Sequence, residues 1–124
     1  MGRCLILVFG ALILALVGCG GGGGGPSGDA NKGKQLFESK QCVTCHTLTG
    51  ITTATGTIGP SLNGIGTAAA TRKPGVAAEA YIRESIKDPN AFTAPGYTPG
   101  LMVLPIPVND QEITDLVAFL LTQK

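Results

Sequence analysis

Positions 41–46 read Gln41-Cys42-Val43-Thr44-Cys45-His46, with two cysteines three positions apart and a histidine directly after the second. This spacing is typical of c-type haem attachment, in which each thiol adds to one vinyl group of the porphyrin. On one short turn the two sulfurs lie about a porphyrin edge apart, and His46 is carried beneath the iron that its imidazole can bind. The stretch therefore predicts one covalently attached haem c.

Two other chemistries also use paired cysteines. Without His46, the pair Cys42 and Cys45 would fit a thioredoxin-like dithiol or half of a zinc site. No second cysteine pair follows downstream to complete four zinc ligands, and the other two cysteines, Cys4 and Cys19, belong to the amino-terminal leader. That assignment leaves none for a disulfide. Haem attachment is the favoured interpretation, with zinc binding and dithiol chemistry as the alternatives.

The size and charge of the chain fit one small domain. Its 124 residues include a leader, and a core of that size gains only a modest margin from buried surface alone. A covalently held haem would add a large apolar body to that core. The nine Lys or Arg include Arg3 of the leader, so the remaining eight balance the eight Asp or Glu over residues 19–124. This neutrality argues against nucleic-acid binding and against a partner recognised by one dominant charge.

The amino terminus has the proportions of a secretory signal. After Arg3, an almost unbroken apolar run covers 4–17 and is shorter than the roughly 20 residues that a membrane-spanning helix needs. Its end, Leu16-Val17-Gly18-Cys19, resembles a bacterial lipobox, in which cleavage before Cys19 is followed by lipid attachment to the Cys19 thiol. The alternative is an uncleaved anchor with an incidental cysteine.

These features divide the chain into three parts. We expect a lipoprotein signal peptide over 1–18, a Gly-rich linker with a lipidated Cys19 over 19–28, and the folded domain over 29–124. The domain is then exported and tethered at the outer face of the cytoplasmic membrane or in the periplasm. Haem c is also attached outside the cytoplasm, so two independent signals agree on this location.

Local signals predict helices over 29–40, 76–87 and 110–122. Asp29 is a suitable N-cap for the first, and within it Gly33 and Phe37 share one face. The second ends before the pair Asp88-Pro89. Asn109, followed three positions later by Glu112, predicts a capping box for the third.

Loops are expected between these helices. The segments 48–56 and 67–75 are predicted as loops, and four prolines exclude a helix over 90–108. In the turn Gly59-Pro60, the Pro60 carbonyl is free to accept a hydrogen bond from the second ring nitrogen of His46, which would orient the imidazole.

The sequence offers few side chains that could be the sixth iron ligand. His46 is the one histidine of the chain, so this sequence offers no second histidine ligand. Met102, in the Pro-rich segment, is the one methionine after the leader. The choices within the chain are Met102, a weak or exchangeable ligand, or none.

Taken in order, these segments resemble the class I cytochrome c family, specifically its small bacterial lipoprotein forms. The resemblance covers 29–124 and is carried by Gly33 with Phe37, Cys42-Val43-Thr44-Cys45-His46, Gly59-Pro60-Ser61-Leu62, Tyr81-Ile82-Arg83-Glu84-Ser85-Ile86, Pro95-Gly96-Tyr97, Gly100-Leu101-Met102, and the last helix with Leu116 and Phe119.

The resemblance implies an all-α fold of three to five helices with long loops around one haem c. It also implies that Cys42 and Cys45 hold the haem, that His46 and Met102 are the axial ligands, and that the Pro60 carbonyl is the partner of His46. One departure concerns the distal side, because members of the family often have proline directly after the ligand methionine. Here Val103-Leu104 come between Met102 and the next proline.

The function implied is that of a membrane-tethered, one-electron carrier in a respiratory or photosynthetic chain, and not an enzyme. Its partners would be redox proteins, such as a membrane oxidoreductase complex as donor or acceptor. The alternatives are a haem-based sensor or small peroxidase with an open sixth site, and a fixed haem subunit of a larger redox complex. Tyr81, Arg83 and Tyr97 are candidates for hydrogen bonds to haem propionates, with ordinary packing or solvent exposure as the other reading.

Overall fold

Four helices and long connecting loops make up the part of the fold that the structure describes. The computed structural model describes residues 27–104 and 106–124, so the predicted signal peptide and Cys19 lie outside the described residues. The helices are α1 Ala30–Ser39, α2 Ile65–Arg72, α3 Ala78–Lys87 and α4 Asp110–Leu121, and a 3₁₀ turn at Cys42–Thr44 follows α1.

The predicted all-α class is confirmed. The described residues contain no strand, and their one β-type contact is an isolated antiparallel bridge between Thr47 and Thr55. None of the helices in these ranges is both long enough and apolar enough to cross a membrane.

Both predicted helix caps are present. The Asp29 carboxylate accepts hydrogen bonds from the first amides of α1, and Asn109 and Glu112 form the reciprocal capping box of α4. Glu112 also pairs with Lys40 at 3.0 Å, which ties the end of α1 to the start of α4. The backbone amide of Asn109 and the Lys40 ammonium hold the pKa of Glu112 below its usual value.

Helices α1 and α4 cross in close contact, as the spacing of Gly33 and Phe37 suggests. A Cβ atom on Gly33 would collide with the backbone carbonyl of Asp115 and lie 2.7 Å from the Cβ of Phe119. One turn further along α1, the rings of Phe37 and Phe119 pack with their centroids 5.9 Å apart. The absence of a side chain at Gly33 is thus what permits the close crossing.

The prediction of a loop over 67–75 is wrong, because most of that segment belongs to α2. Its run of alanines, Ala68-Ala69-Ala70, has the highest intrinsic helix propensity. The helix starts from Gly64, whose φ of 68° lies in the left-handed region that glycine adopts freely. Ile65, Gly66 and Ala69 form its buried face. The helix predicted over 76–87 is present as α3 but begins two residues later, at Ala78.

The Thr-rich segment 48–56 is a loop, but its apolar residues are not on the surface. Leu48, Ile51 and Ala54 are buried in the core. Backbone hydrogen bonds from Leu48 to Ala54 (3.1 Å) and from Ala54 to Ile51 (3.0 Å) fold the loop back on itself, so that these three side chains share one side. The segment after α3 is non-helical throughout its described residues, as its prolines predict.

Candidate haem site

An apolar cleft lies between the helices and the segment that precedes α4. The space between its walls, counted out to the open solvent, is about 1180 Å³. Its wall contains the two predicted haem-attachment cysteines, the two predicted iron ligands and the predicted hydrogen-bond partner of His46: Cys42, Cys45, His46, Met102 and Pro60. Most of the rest of the wall is aliphatic or aromatic, including Phe37, Leu62, Ile65, Ile82, Ile86, Leu116 and Leu120.

One tight turn presents both cysteines and the histidine to this cleft. It opens at Gln41, whose φ of 62° is left-handed, and is closed by bonds from the amides of Cys45 (3.2 Å) and His46 (3.0 Å) to the Cys42 carbonyl. Both thiols are free and half-buried. Burial raises the pKa of the Cys42 thiol to about 11; a backbone hydrogen bond opposes the rise, and the neighbouring Cys45 adds to it. The Cys42 thiol is therefore neutral at physiological pH.

His46 is buried, and a single hydrogen bond sets its orientation. Its Nδ1 lies 2.8 Å from the carbonyl oxygen of Pro60. A carbonyl oxygen can only accept, so Nδ1 carries the proton and the lone pair of the neutral ring is on Nε2. Burial lowers the pKa of His46, and the bond to Pro60 opposes part of that shift. The result is a neutral imidazole, which is the form that binds a metal.

Gly59 packs directly on the His46 ring, a contact that the sequence analysis did not anticipate. A Cβ atom at Gly59 would lie 2.6 Å from the ring Cε1 and 2.9 Å from Nδ1. The Gly59 amide also donates to the Cys45 carbonyl at 2.8 Å. The available signal was the position of Gly59 directly before the proline that faces the histidine.

Met102 is half-buried on the wall of the same cleft as His46. It lies in a segment without regular secondary structure that follows Gly100, whose φ is 79°. The structure thus brings the two predicted axial residues to one cavity, although 56 positions separate them in the chain.

Of the three candidates for haem propionate contacts, two line the cleft and one does not. Tyr81 and Tyr97 line the cleft. Arg83 does not, since its guanidinium donates to Thr114 of α4 at 3.1 Å and to Glu79 at 3.3 Å. Two positions along a helix correspond to a turn of about 200°, so Arg83 points away from the side on which Tyr81 meets the cleft. A different arginine, Arg72, lines the cleft instead.

The residues of the cleft fit haem c. Two free thiols and a neutral, oriented imidazole lie on one turn, and the rest of the wall is largely apolar and includes the Met102 thioether. An all-α fold around such a site defines a protein that binds a covalently attached haem.

Comparison with known families agrees with this class. The family model described as Cytochrome c matches residues 30–124, which is most of the chain. The chain therefore belongs to the cytochrome c family, whose members bind haem c covalently and exchange electrons with redox partners. This membership favours haem attachment over the zinc and dithiol alternatives at Cys42 and Cys45. No curated protein matches the chain.

Proposed function

We propose that this cytochrome c is a membrane-tethered, single-haem electron carrier of a respiratory or photosynthetic chain, and not an enzyme. The observation that carries the proposal is the presence of both His46 and Met102 on one apolar cleft. Haem c supplies a one-electron iron couple when bound, and a His/Met ligand pair raises its reduction potential. If His46 and Met102 both bound the iron, no ligand position would be left for oxygen or peroxide.

Each residue of the site has a distinct task in this proposal. Cys42 and Cys45 form the thioether bonds that keep the haem in place through repeated redox cycles. His46 is the proximal ligand through Nε2, and the Pro60 carbonyl fixes its tautomer and orientation by the 2.8 Å hydrogen bond to Nδ1. Met102 is the distal ligand.

Electron exchange takes place where the cleft opens to solvent. Ile58, Tyr97 and Leu101 line the cleft and also have large exposed fractions, 57%, 40% and 52%. An opening that exposes these uncharged side chains suits brief docking with a redox protein, such as a membrane oxidoreductase complex that acts as donor or acceptor.

Membrane attachment is proposed from the leader. The apolar run over 4–17, the lipobox-like end and the thiol of Cys19 support cleavage and lipid attachment at the outer face of the cytoplasmic membrane. A Gly-rich linker of this length has a root-mean-square reach of about 17–19 Å. Growth with a labelled fatty acid tests the anchor: the label is expected in the membrane-bound full-length protein and absent from Cys19→Ser.

The carrier proposal is tested by visible spectra of the full-length haem-loaded protein. We expect a low-spin spectrum with a sulfur-to-iron band and no change on adding carbon monoxide. Met102→Ala is expected to lose that band, lower the reduction potential and bind carbon monoxide, because the sixth position becomes open.

Val103→Ala is the matched control, since Val103 is the next residue, is 72% exposed and is not part of the cleft wall. It is expected to leave the spectrum unchanged. A native protein that is high-spin and binds carbon monoxide would contradict the carrier and favour a sensor or small peroxidase. Constant co-purification with one membrane complex in mild detergent would instead indicate a fixed subunit.

A further inference from the structure

Thr47 directly follows His46 and forms hydrogen bonds through both its side chain and its backbone. Its hydroxyl donates to the Gly56 carbonyl at 2.6 Å, in a partly buried contact between positions nine apart. Its own carbonyl accepts a hydrogen bond of 2.9 Å from the Leu62 amide. The segment 56–62 is therefore held by Thr47 at both of its ends.

Pro60, the hydrogen-bond partner of His46, lies inside this segment. Proline has no amide proton, so no hydrogen bond from its own nitrogen can hold it in place. Its carbonyl is placed instead by the bonds on either side of it, which include the two to Thr47 and one from the Gly59 amide to the Cys45 carbonyl at 2.8 Å. Changing a side chain does not remove the backbone bonds of this group, but it can remove the Thr47 hydroxyl.

Gly56 lies close against the turn that carries the two thiols. A Cβ atom on Gly56 would collide with the Thr44 carbonyl and lie 2.6 Å from the carbonyl carbon of Cys45. The bond from the Gly56 amide to the Val43 carbonyl is long for its type, at 3.3 Å. The bond from the Thr47 hydroxyl is the shorter of the two that keep Gly56 at this position.

We propose that Thr47 is a positioning residue for the proximal haem ligand. By holding Gly56, its hydroxyl keeps the Pro60 carbonyl at 2.8 Å from Nδ1 of His46. An acceptor at Nδ1 makes the imidazole a more basic ligand, and a more basic ligand favours ferric over ferrous iron. The inference rests on the proposed iron ligation by His46, but not on ligation by Met102 or on electron carriage.

Two simpler roles of the Thr47 hydroxyl give different expectations. Its bond to Gly56 closes the loop 48–55, whose buried side chains belong to the core. The same bond also satisfies a carbonyl that is partly removed from water. In either role, loss of the hydroxyl lowers stability but leaves the bond between His46 and Pro60, and with it the reduction potential, unchanged.

The test is Thr47→Val in the full-length haem-loaded protein, because valine replaces the hydroxyl by a methyl group of similar size. With Gly56 released, we expect the Pro60 carbonyl to move away from Nδ1. The NMR resonance of the Nδ1 proton in the reduced protein should then shift upfield. The reduction potential should rise, since a less basic imidazole stabilises ferric iron less. If Met102 does not bind the iron, carbon monoxide brings the reduced protein to the diamagnetic state in which the same proton is measured.

Thr57→Val is the matched control. Thr57 is the residue after Gly56, is exposed, and makes no side-chain hydrogen bond to the part of the chain that the structure describes. This control should leave both the Nδ1 resonance and the potential native, and Thr47→Ser should restore both because it keeps the hydroxyl. A Thr47→Val variant that loses stability but keeps the native resonance and potential would overturn the proposal.

A second measurement needs no substitution, and it also decides the case in which Thr47→Val does not take up haem. In NMR spectra of the native haem-loaded protein, the Thr47 hydroxyl proton should be resolved from water and lie close to the α-protons of Gly56. If this proton is averaged with water, the bond is not maintained in solution and the proposal is wrong. The carbon-bound ring protons of His46 report proximal ligation separately, because the haem ring current shifts them strongly when the imidazole binds the iron.

Discussion

At the scale of single residues, His46 shows how a few contacts set both the direction and the protonation of one imidazole. The turn that begins at Gln41 brings His46 beside the two thiols. The carbonyl of Pro60 fixes the tautomer, and burial keeps the ring neutral. Gly59 closes the remaining space against the ring. None of these contacts requires a charged side chain.

The role of Gly59 is tested by Gly59→Ala. The added methyl group would lie 2.6 Å from Cε1 of His46, and neither partner moves freely, because Pro60 holds the ring and Cys45 binds the Gly59 amide. We expect the ring to shift, with a changed visible spectrum and reduction potential. Overpacking of this kind also lowers the free energy of unfolding by about 1–3 kcal/mol. Spectra and denaturant unfolding of the haem-loaded protein measure both effects.

Gly50→Ala separates this contact from the general effect of replacing a loop glycine. Gly50 has φ of 89° and nothing near its missing side chain, so alanine there adds backbone strain of about 1–2 kcal/mol without touching the site. This control is expected to lose stability while keeping the native spectrum. A native spectrum and potential in Gly59→Ala would show that the ring is not held by this contact.

At the scale of the elements, α4 is the helix on which the others are assembled. Three glycines allow separate segments to pack directly against its backbone, because a Cβ atom at each would collide with a carbonyl oxygen of α4. The pairs are Gly28, before α1, with Thr114; Gly33 of α1 with Asp115; and Gly66 of α2 with Leu121. The Asp115 carboxylate also accepts a hydrogen bond of 2.8 Å from the Asp29 backbone amide. Such close approaches leave the helices little freedom to slide past one another.

Gly33→Ala tests whether the crossing of α1 and α4 depends on a missing side chain. Alanine raises helix propensity by about 1 kcal/mol, which favours α1 considered alone. The new methyl group would meet the backbone of Asp115, and backbone cannot rotate away as a side chain can. Overpacking costs about 1–3 kcal/mol, so after the gain in propensity we expect a net loss of up to about 2 kcal/mol in the free energy of unfolding, measured by denaturant titration of the haem-loaded protein.

Lys34→Ala is the control for this substitution because Lys34 is the next residue of α1 and is exposed. Its effect is expected to stay within about 0.5 kcal/mol. If Gly33→Ala is as stable as this control, the helices have room to move apart and the close crossing is not required.

How much of these elements can be predicted from sequence depends on how local their determinants are. Helices α1 and α4 are recognisable because their caps, Asp29 and the pair Asn109 and Glu112, lie within a few residues of the helix start. Helix α2 is short, and its N-cap is Gly64, which has no side chain to cap the helix. Its buried positions, Ile65 and Ala69, become a face only when α2 packs on the other helices, so no local pattern reveals it.

The same reasoning applies to the site. The attachment stretch is predicted because its chemistry depends on spacing within six residues, 41–46. The contact between His46 and Gly59 joins positions 13 apart, and the place of Arg72 on the cleft depends on a helix that was not predicted. Arg83, one of the three candidates for a propionate contact, instead bonds to Thr114 where α3 packs on α4, and it does not line the cleft.

At the scale of the whole molecule, the distribution of charge determines how the protein meets other molecules. Residues 19–124 are formally neutral, and the opening of the cleft exposes Ile58, Tyr97 and Leu101 rather than charged side chains. An approaching reagent therefore meets little net field at the place where electrons are exchanged.

This predicts electron exchange that depends weakly on salt. For the haem-loaded domain, rates with anionic ferricyanide and with a cationic ruthenium ammine are expected to change by less than about twofold as the Debye length falls from about 30 Å to about 3 Å. Leu101→Glu places a charge at the opening, so added salt should speed the anionic reagent and slow the cationic one. Gln35→Glu adds the same charge at an exposed position of α1 that does not line the cleft, and it should leave the salt dependence of both rates nearly native. Equal responses in the two variants would mean that electrons do not pass through this opening.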